Sequence, residues 1–227
     1  MNVHRRIAAV AVAVLVAAPL ATAAVLDGTD ADDVLRGTRG ADTATAKAGN
    51  DVVFGFRGPD VVTGGPGRDV LLGGAGRDTI LAGPDDDVID AGPGRDVALG
   101  QAGNDVIFGG WRGDVLSGGS GDDRLLGARG FDTLYAGEGA DVLVGGFGRD
   151  VLFSRAADGV VDTLICGPNR DVAYARPEDK VSRDCERVIL LPAADTTTDP
   201  GDEDTAPARA TTGDDGSGEG GTDPSDQ

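Results

Sequence analysis

Aspartate recurs every nine residues through the middle of this 227-residue chain, each time at the end of a turn-forming segment. The phrase G-G-x-G-x-D-x-U-x, in which U is apolar, holds without a gap over residues 28–153 and gives fourteen copies. Position six is aspartate in every copy: Asp33, Asp42, Asp51, Asp60, Asp69, Asp78, Asp87, Asp96, Asp105, Asp114, Asp123, Asp132, Asp141 and Asp150. Ionised carboxylates only accept hydrogen bonds, and they bind hard cations. The regularly spaced aspartates are therefore the residues of this chain whose types and spacing suit cation binding.

The residues between the aspartates predict the elements that position them. Repeats of fixed length are typical of solenoids. Positions seven to nine are mostly β-branched or apolar and predict a three-residue strand, with the always apolar position eight facing inward. The six residues before each strand predict a turn, where glycine permits a positive φ and close backbone approach. Two copies therefore form one coil of two strands and two turns.

The coil arranges the aspartates in two columns, because copies two apart stack on the same edge. One column contains Asp33, Asp51, Asp69, Asp87, Asp105, Asp123 and Asp141. The other contains Asp42, Asp60, Asp78, Asp96, Asp114, Asp132 and Asp150. Carboxylates about 5 Å apart repel by roughly 1–3 kcal/mol per pair, and the repeat has no matching cation column. Carboxylates and turn carbonyls offer only oxygen ligands, which favours calcium before magnesium.

The phrase resembles the nonapeptide of the RTX, or haemolysin-type, calcium-binding repeats. The resemblance covers residues 28–153 and implies an all-β, right-handed parallel β-roll solenoid with two repeats per coil. It also implies that aspartates and turn carbonyls of stacked turns hold Ca²⁺ between them. Seven turns per edge leave six gaps, so at most about twelve ions fit. The first four turns lack the double glycine and depart from the family pattern, whereas residues 64–150 match it better.

The first 23 residues predict an export signal. A basic start, an apolar run over residues 7–20 and a small-residue cleavage site ending at Ala23 support it. The run is short for a membrane span, so we expect cleavage, no later membrane contact, and a secreted, extracellular protein with its β-roll in residues 24–153. The only histidine, His4, leaves with this segment, which excludes histidine-dependent triads and histidine-ligated metals from the mature chain.

Residues 154–191 leave the repeat and predict a C-terminal cap that closes the solenoid end. Cys166 and Cys185 are the only cysteines, and an even count in an exported protein predicts a disulfide. The stretches "DTLICG" and "DCERV" resemble the cysteine-bearing region that follows such repeats in exported proteins. Residues 192–227 are rich in Asp, Thr, Gly and Pro and predict a disordered acidic tail.

The net charge of −19 disfavours a nucleic-acid partner. Our first hypothesis is a secreted, non-catalytic calcium-binding β-roll whose folding is coupled to Ca²⁺. The second is an extracellular structural or adhesive protein with a homotypic or surface partner, acting through apolar residues on one sheet face: Phe54, Leu72, Phe108 and Leu126. An enzyme is a remote third alternative, since paired carboxylates are abundant. Several arginines occupy position five, where we interpret them as local charge relief: Arg68, Arg77, Arg95 and Arg149.

Overall fold

The computed structural model describes residues 13–16, 23–154 and 158–192, which form strands and turns. The strands build two ten-stranded parallel sheets and alternate between them along the chain. The first sheet contains β1 (Ala13–Val16), β3 (Asp33–Arg36), β5 (Val52–Phe54), β7 (Val70–Leu72), β9 (Val88–Pro93), β11 (Val106–Trp111), β13 (Arg124–Gly130), β15 (Val142–Gly148), β17 (Thr163–Ile165) and β19 (Lys180–Val181). The second contains β2 (Val25–Asp27), β4 (Thr43–Thr45), β6 (Val61–Thr63), β8 (Thr79–Pro84), β10 (Val97–Ala102), β12 (Val115–Ser120), β14 (Thr133–Glu138), β16 (Val151–Phe153), β18 (Val172–Ala175) and β20 (Arg187–Leu190).

Neighbouring strands within each sheet pair in parallel with an 18-residue offset through the repeat region. Leu71 pairs with Ile89, which pairs in turn with Ile107. One coil therefore takes two repeats, and the predicted all-β parallel β-roll is confirmed. From β8 to β15 the strands lengthen to six or seven residues, because the first residues of the following turn also pair with the neighbouring coils. In the part of the chain that the structure describes, no helix is long and apolar enough to cross a bilayer.

The core consists mainly of two rows of position-eight side chains, one from each sheet, with buried alanines of position one beside them. Leu71 and Ile80 are fully buried, whereas Val70, the residue before Leu71, is 38% exposed. This alternation follows from the pleat, which directs successive side chains to opposite faces of a strand. Each buried leucine or isoleucine stabilises the fold by about 1.5–3 kcal/mol, so a core with two such side chains per coil is thin for a chain of this size.

The two sheets continue beyond the last regular repeat. Strands β17 and β19 extend the first sheet, and β18 and β20 extend the second, so the segment predicted as a cap has the same coiled architecture. A disulfide joins Cys166, before β18, to Cys185, before β20, with the two Cα atoms 5.0 Å apart. The predicted disulfide is therefore confirmed, and it ties together the turns of the last coils.

Two predicted segments fall mainly on residues that the structure does not describe. Of the predicted export signal over residues 1–23, only residue 23 and β1 are described, and β1 pairs in parallel with β3. Of the predicted acidic tail over residues 192–227, only residue 192 is described. Export and tail disorder therefore stay predictions.

Candidate metal-binding turns

The fourteen repeat aspartates are all buried and stand in the two columns expected from the 18-residue period. From Asp51 onward, one oxygen of each aspartate in a column accepts a hydrogen bond from the backbone N–H of the aspartate one coil earlier. The N–H of Asp51 donates to Oδ1 of Asp69 at 2.8 Å, and the N–H of Asp69 donates to Oδ1 of Asp87 at 2.7 Å. Each carboxylate is thus held in a fixed orientation between two turns.

The second carboxylate oxygen, Oδ2, is buried without a hydrogen-bond partner in most of these residues. The repeat aspartates that share this feature are Asp51, Asp60, Asp69, Asp78, Asp87, Asp96, Asp105, Asp114, Asp132, Asp141 and Asp150, and Asp171, beyond the repeats, has it as well. Buried polar atoms are normally hydrogen-bonded, and an unpaired buried carboxylate costs several kcal/mol. A repeated, aligned exception of this kind indicates a site for a cation.

Backbone carbonyl groups share the space around Oδ2. A Cβ atom built on Gly127, at position one of its repeat, would lie 2.6 Å from Oδ2 of Asp132 and 2.7 Å from the carbonyl oxygen of Gly145 in the next coil. Among the described residues, no three His, Cys, Asp or Glu side chains form a metal-binding cluster. An ion in these turns would therefore combine carboxylate and carbonyl oxygens, the donor set of a hard cation such as Ca²⁺.

Burial raises the pKa of several column aspartates, and for many of these repulsion from neighbouring carboxylates adds to the effect. The pKa of Asp69 rises from 3.8 to about 7, mainly because of burial and secondarily because of Asp51 and Asp85, although the N–H of Asp51 opposes the shift. The pKa values of Asp114 and Asp141 rise to about 8, with burial again the largest cause. The ionised columns are therefore unfavourable without added positive charge.

In most repeats, the residue at position two of the turn has a positive φ, in the left-handed region. Gly65 has a φ of 115° there. Phe56 adopts the same region with a φ of 76°, although its repeat lacks the double glycine. Departure from the glycine pattern therefore does not prevent the turn from forming, since Asp60 of the same repeat also keeps an unpaired, buried Oδ2.

The first two repeats differ from the later ones, because backbone and hydroxyl groups of the protein already donate hydrogen bonds to Oδ2 of their aspartates. Oδ2 of Asp33 accepts hydrogen bonds from the N–H of Thr29 at 2.5 Å and from its hydroxyl at 3.1 Å. Oδ2 of Asp42 accepts the same pair of bonds from Thr38, at 2.5 and 3.1 Å. Of the four early repeats that depart from the family pattern, the first two thus have satisfied carboxylates, and the next two resemble the regular ones.

Two further aspartates continue the columns beyond the repeats identified in the sequence. The N–H of Asp141 donates to Oδ1 of Asp162 at 2.9 Å, and the N–H of Asp150 donates to Oδ1 of Asp171 at 2.8 Å. Sequence reasoning missed both, because the spacing changes after residue 153. The stretch "CGPNRDVAY" is nonetheless a nine-residue copy, and Asn169 takes the position-four conformation with a φ of 113°.

Asp179 ends one column. Its Oδ1 accepts the N–H of Asp162 at 3.0 Å, as in the regular coils. Its Oδ2 accepts the hydroxyl of Ser154 at 2.5 Å and the N–H of Arg176 at 2.6 Å. Side-chain and backbone donors therefore satisfy the carboxylates at both ends of this column, and the unpaired oxygens lie between them.

Comparison with known families agrees with this geometry. The family model for the RTX calcium-binding nonapeptide repeat (4 copies) matches the segments 27–62, 54–89, 63–98, 81–116 and 117–152. Together these segments span more than half of the 227-residue chain. The chain belongs to the RTX calcium-binding repeat family. The matched segments include the part of the β-roll in which unpaired carboxylate oxygens lie beside turn carbonyls. Family membership supports Ca²⁺ as the ion that such turns bind. No curated protein matched the chain.

Proposed function

We propose that this protein is a secreted, non-catalytic calcium-binding β-roll whose turns hold Ca²⁺ between stacked coils. The observation that carries the proposal is the buried, unpaired Oδ2, which recurs in most turns between Asp51 and Asp150 beside carbonyl oxygens of the next coil. The fourteen aspartates predicted as ligands contribute through this atom, except Asp33 and Asp42, whose Oδ2 atoms already accept hydrogen bonds from Thr29 and Thr38. The number of ions is at most about twelve.

Calcium binding and folding are one event in this proposal. Without metal, the columns carry buried carboxylates that repel one another and that lack partners for one oxygen. The thin core, with two position-eight side chains per coil, offsets little of that cost. Bound ions neutralise the columns and give each Oδ2 a partner, so their binding free energy becomes folding free energy.

A calcium titration of the full chain tests this proposal. We expect the chain in excess EGTA at neutral pH to show little β-structure by circular dichroism, and to gain it cooperatively with Ca²⁺ but not with equal Mg²⁺. Native mass spectrometry of the calcium-loaded chain should then show several bound ions. A chain that is fully folded in EGTA and free of metal would refute the coupling.

A structural or adhesive role is the second candidate, and the apolar face of the first sheet favours it. Phe54 pairs with Leu72 across neighbouring strands, and Phe108 pairs with Leu126. Phe108 is 38% exposed. Asp90 pairs with both Leu72 and Phe108, so it divides the face into two apolar patches.

The second candidate is tested by self-association. Replacing Phe54 and Phe108 with threonine keeps β-propensity and removes apolar surface, so sedimentation of the calcium-loaded variant should show less association than the parent chain. Unchanged sedimentation would exclude this face as an interface between copies.

A further inference from the structure

The turns on the two edges of the roll differ in charge. One edge consists of the turns 37–41, 55–59, 73–77, 91–95, 109–113, 127–131 and 145–149, and we call it the arginine edge. Every turn on it has one arginine and no acidic residue in these five positions. The arginines are all exposed: Arg39, Arg57, Arg77, Arg95, Arg112, Arg129 and Arg149. Charge relief at position five does not explain this regularity, because the arginines occupy positions three, four and five.

The opposite edge consists of the turns 28–32, 46–50, 64–68, 82–86, 100–104, 118–122 and 136–140, and we call it the acidic edge. It contains six acidic residues and two basic ones. Its position-five side chains accept hydrogen bonds from the backbone of the neighbouring coil. The N–H of Asn104 donates to Asp86 at 2.9 Å, and the N–H of Asp122 donates to Asn104 at 2.8 Å. The position-five acidic residues of this edge thus have a structural role between coils. Within residues 23–154 and 158–192, no salt bridge involves any of the seven arginines of the other edge.

The residues of the arginine edge lie in register along the roll. Arg57 pairs with Ala75, and Trp111 pairs with Arg129, which pairs in turn with Phe147. Neighbouring coils are about 4.8 Å apart, so the edge presents positive groups at a regular short spacing. Such a row complements a linear chain that carries negative charges at intervals.

Exposed aromatic rings lie among the arginines on the last three turns of this edge. Trp111, Phe131 and Phe147 are 62%, 66% and 62% exposed. The guanidinium of Arg129 lies 5.8 Å from the Trp111 ring and 5.9 Å from the Phe147 ring, and that of Arg149 lies 5.1 Å from the Phe131 ring. The turns of the acidic edge contain no aromatic residue. Alternating cations and rings form a surface that binds both charge and flat apolar faces.

We propose that the arginine edge binds a linear anionic polysaccharide, with carboxylate or sulfate groups on the arginines and sugar-ring faces on Trp111, Phe131 and Phe147. The acidic edge of a second copy would match the charge but offers no group for the rings. Duplex DNA carries about one charge per 1.7 Å, which is much denser than one arginine per coil of about 4.8 Å. An acidic polysaccharide distributes its charges over separate sugar rings and presents those rings to aromatic side chains.

The inference rests on the proposed function in one respect. The buried aspartates of the same turns, such as Asp114 and Asp132, oppose the arginine charge unless cations neutralise them. Binding is therefore measured on calcium-loaded protein whose β-structure has first been verified by circular dichroism. A chain that fails to fold with Ca²⁺ contradicts the proposed function, whereas a folded, loaded roll that fails to bind the polysaccharide contradicts this inference alone.

The experiment measures affinity by calorimetry for chondroitin sulfate, neutral dextran, polyglutamate and an oligo-dT strand, all at one calcium concentration. The test variant is R95Q/R129Q/R149Q on the arginine edge. The control variant is R68Q/R124Q/R183Q, which removes the same charge from exposed arginines elsewhere. A third variant, W111S/F147S, removes two of the rings and leaves the charge unchanged.

We expect chondroitin sulfate to bind most tightly, with about a tenfold loss in the test variant and little change in the control variant. The ring variant should lose affinity for chondroitin sulfate but not for polyglutamate. Equal losses in the test and control variants would show general charge attraction and overturn the proposal. Tighter binding of polyglutamate or oligo-dT, or equal binding of neutral dextran, would also overturn it.

Discussion

The backbone N–H of Asp87 donates a 2.8 Å hydrogen bond to Oδ1 of Asp105, whose Oδ2 is buried without a hydrogen-bond partner. One carboxylate therefore sets the register of two stacked turns with one oxygen and leaves the other for a cation. This division explains why aspartate recurs at position six. Asparagine could supply the acceptor, but it would place an NH₂ donor or a neutral oxygen where the ion needs negative charge.

Substituting Asp105→Asn tests this division of labour. The amide keeps one acceptor for the N–H of Asp87 but removes the negative charge at Oδ2. We expect fewer bound ions by native mass spectrometry, and a rise of roughly tenfold in the calcium concentration at the folding midpoint, equivalent to about 1.4 kcal/mol. Asp42→Asn is the matched control. Thr38 already occupies Oδ2 of Asp42, so the ion count should stay unchanged even if stability falls.

The calcium-free chain should become more ordered as the pH falls. The folded-state pKa values of Asp69, Asp87 and Asp96 are about 7, above the ordinary value of 3.8, chiefly because of burial. Between these values the folded state binds more protons than the unfolded state, so its stability increases toward low pH and is lost as the pH rises through about 7. Circular dichroism in EGTA from pH 8 to pH 5 measures this. β-Structure that is constant or falls over this range would contradict the burial of these carboxylates.

Acid should have the opposite effect on calcium binding. Protons compete with Ca²⁺ for the same carboxylates, so the calcium midpoint should rise as the pH falls below the raised pKa values of Asp114 and Asp141, which are about 8. Calcium titrations at pH 8 and pH 6 check this in the same buffer. A midpoint that does not change with pH would indicate that the ion sites lie outside the carboxylate columns.

The disulfide should stabilise the last coils. A Cys166→Ala/Cys185→Ala double variant removes a link between residues 19 apart in sequence, and we expect the free energy of unfolding of the calcium-loaded protein to fall by about 3 kcal/mol. Denaturant unfolding with and without reducing agent measures the effect. Reducing agent should destabilise the parent chain and leave the double variant unchanged, and any effect on the variant would point to another cause.

One turn carries local strain that substitution should relieve. Gln101 is exposed and has a φ of 82° at position two, where most repeats from residue 64 onward have glycine. Gln101→Gly should raise the free energy of unfolding by about 1 kcal/mol, because glycine has no Cβ penalty in this region. Gln101→Ala is the control, since alanine shares that penalty. Thermal unfolding in saturating calcium should therefore show a higher midpoint for the glycine variant alone.

The regular part of the fold could be predicted from the sequence. A period of nine with a strand of three predicts the alternation of inward and outward side chains, and therefore places Leu71 and Ile80 in the core, and Asp69 and Asp78 on different edges. An uninterrupted period converts directly into stacking, because each coil pairs with the next through the same backbone hydrogen bonds. Family membership follows from the same pattern, which a family model matches over residues 27–152.

The sequence by itself determined the two aspartate columns, the oxygen-rich turns and the calcium chemistry they favour, because all of these depend only on the period. The tertiary structure decided which carboxylates have partners: Thr29 and Thr38 satisfy the first two, since their donors lie close to those oxygens in the folded turns. It also decided that Asp162 and Asp171 continue the columns, because hydrogen bonding between coils restores the register despite the changed spacing. The arginines, scattered over three repeat positions, form one edge only when the coils stack.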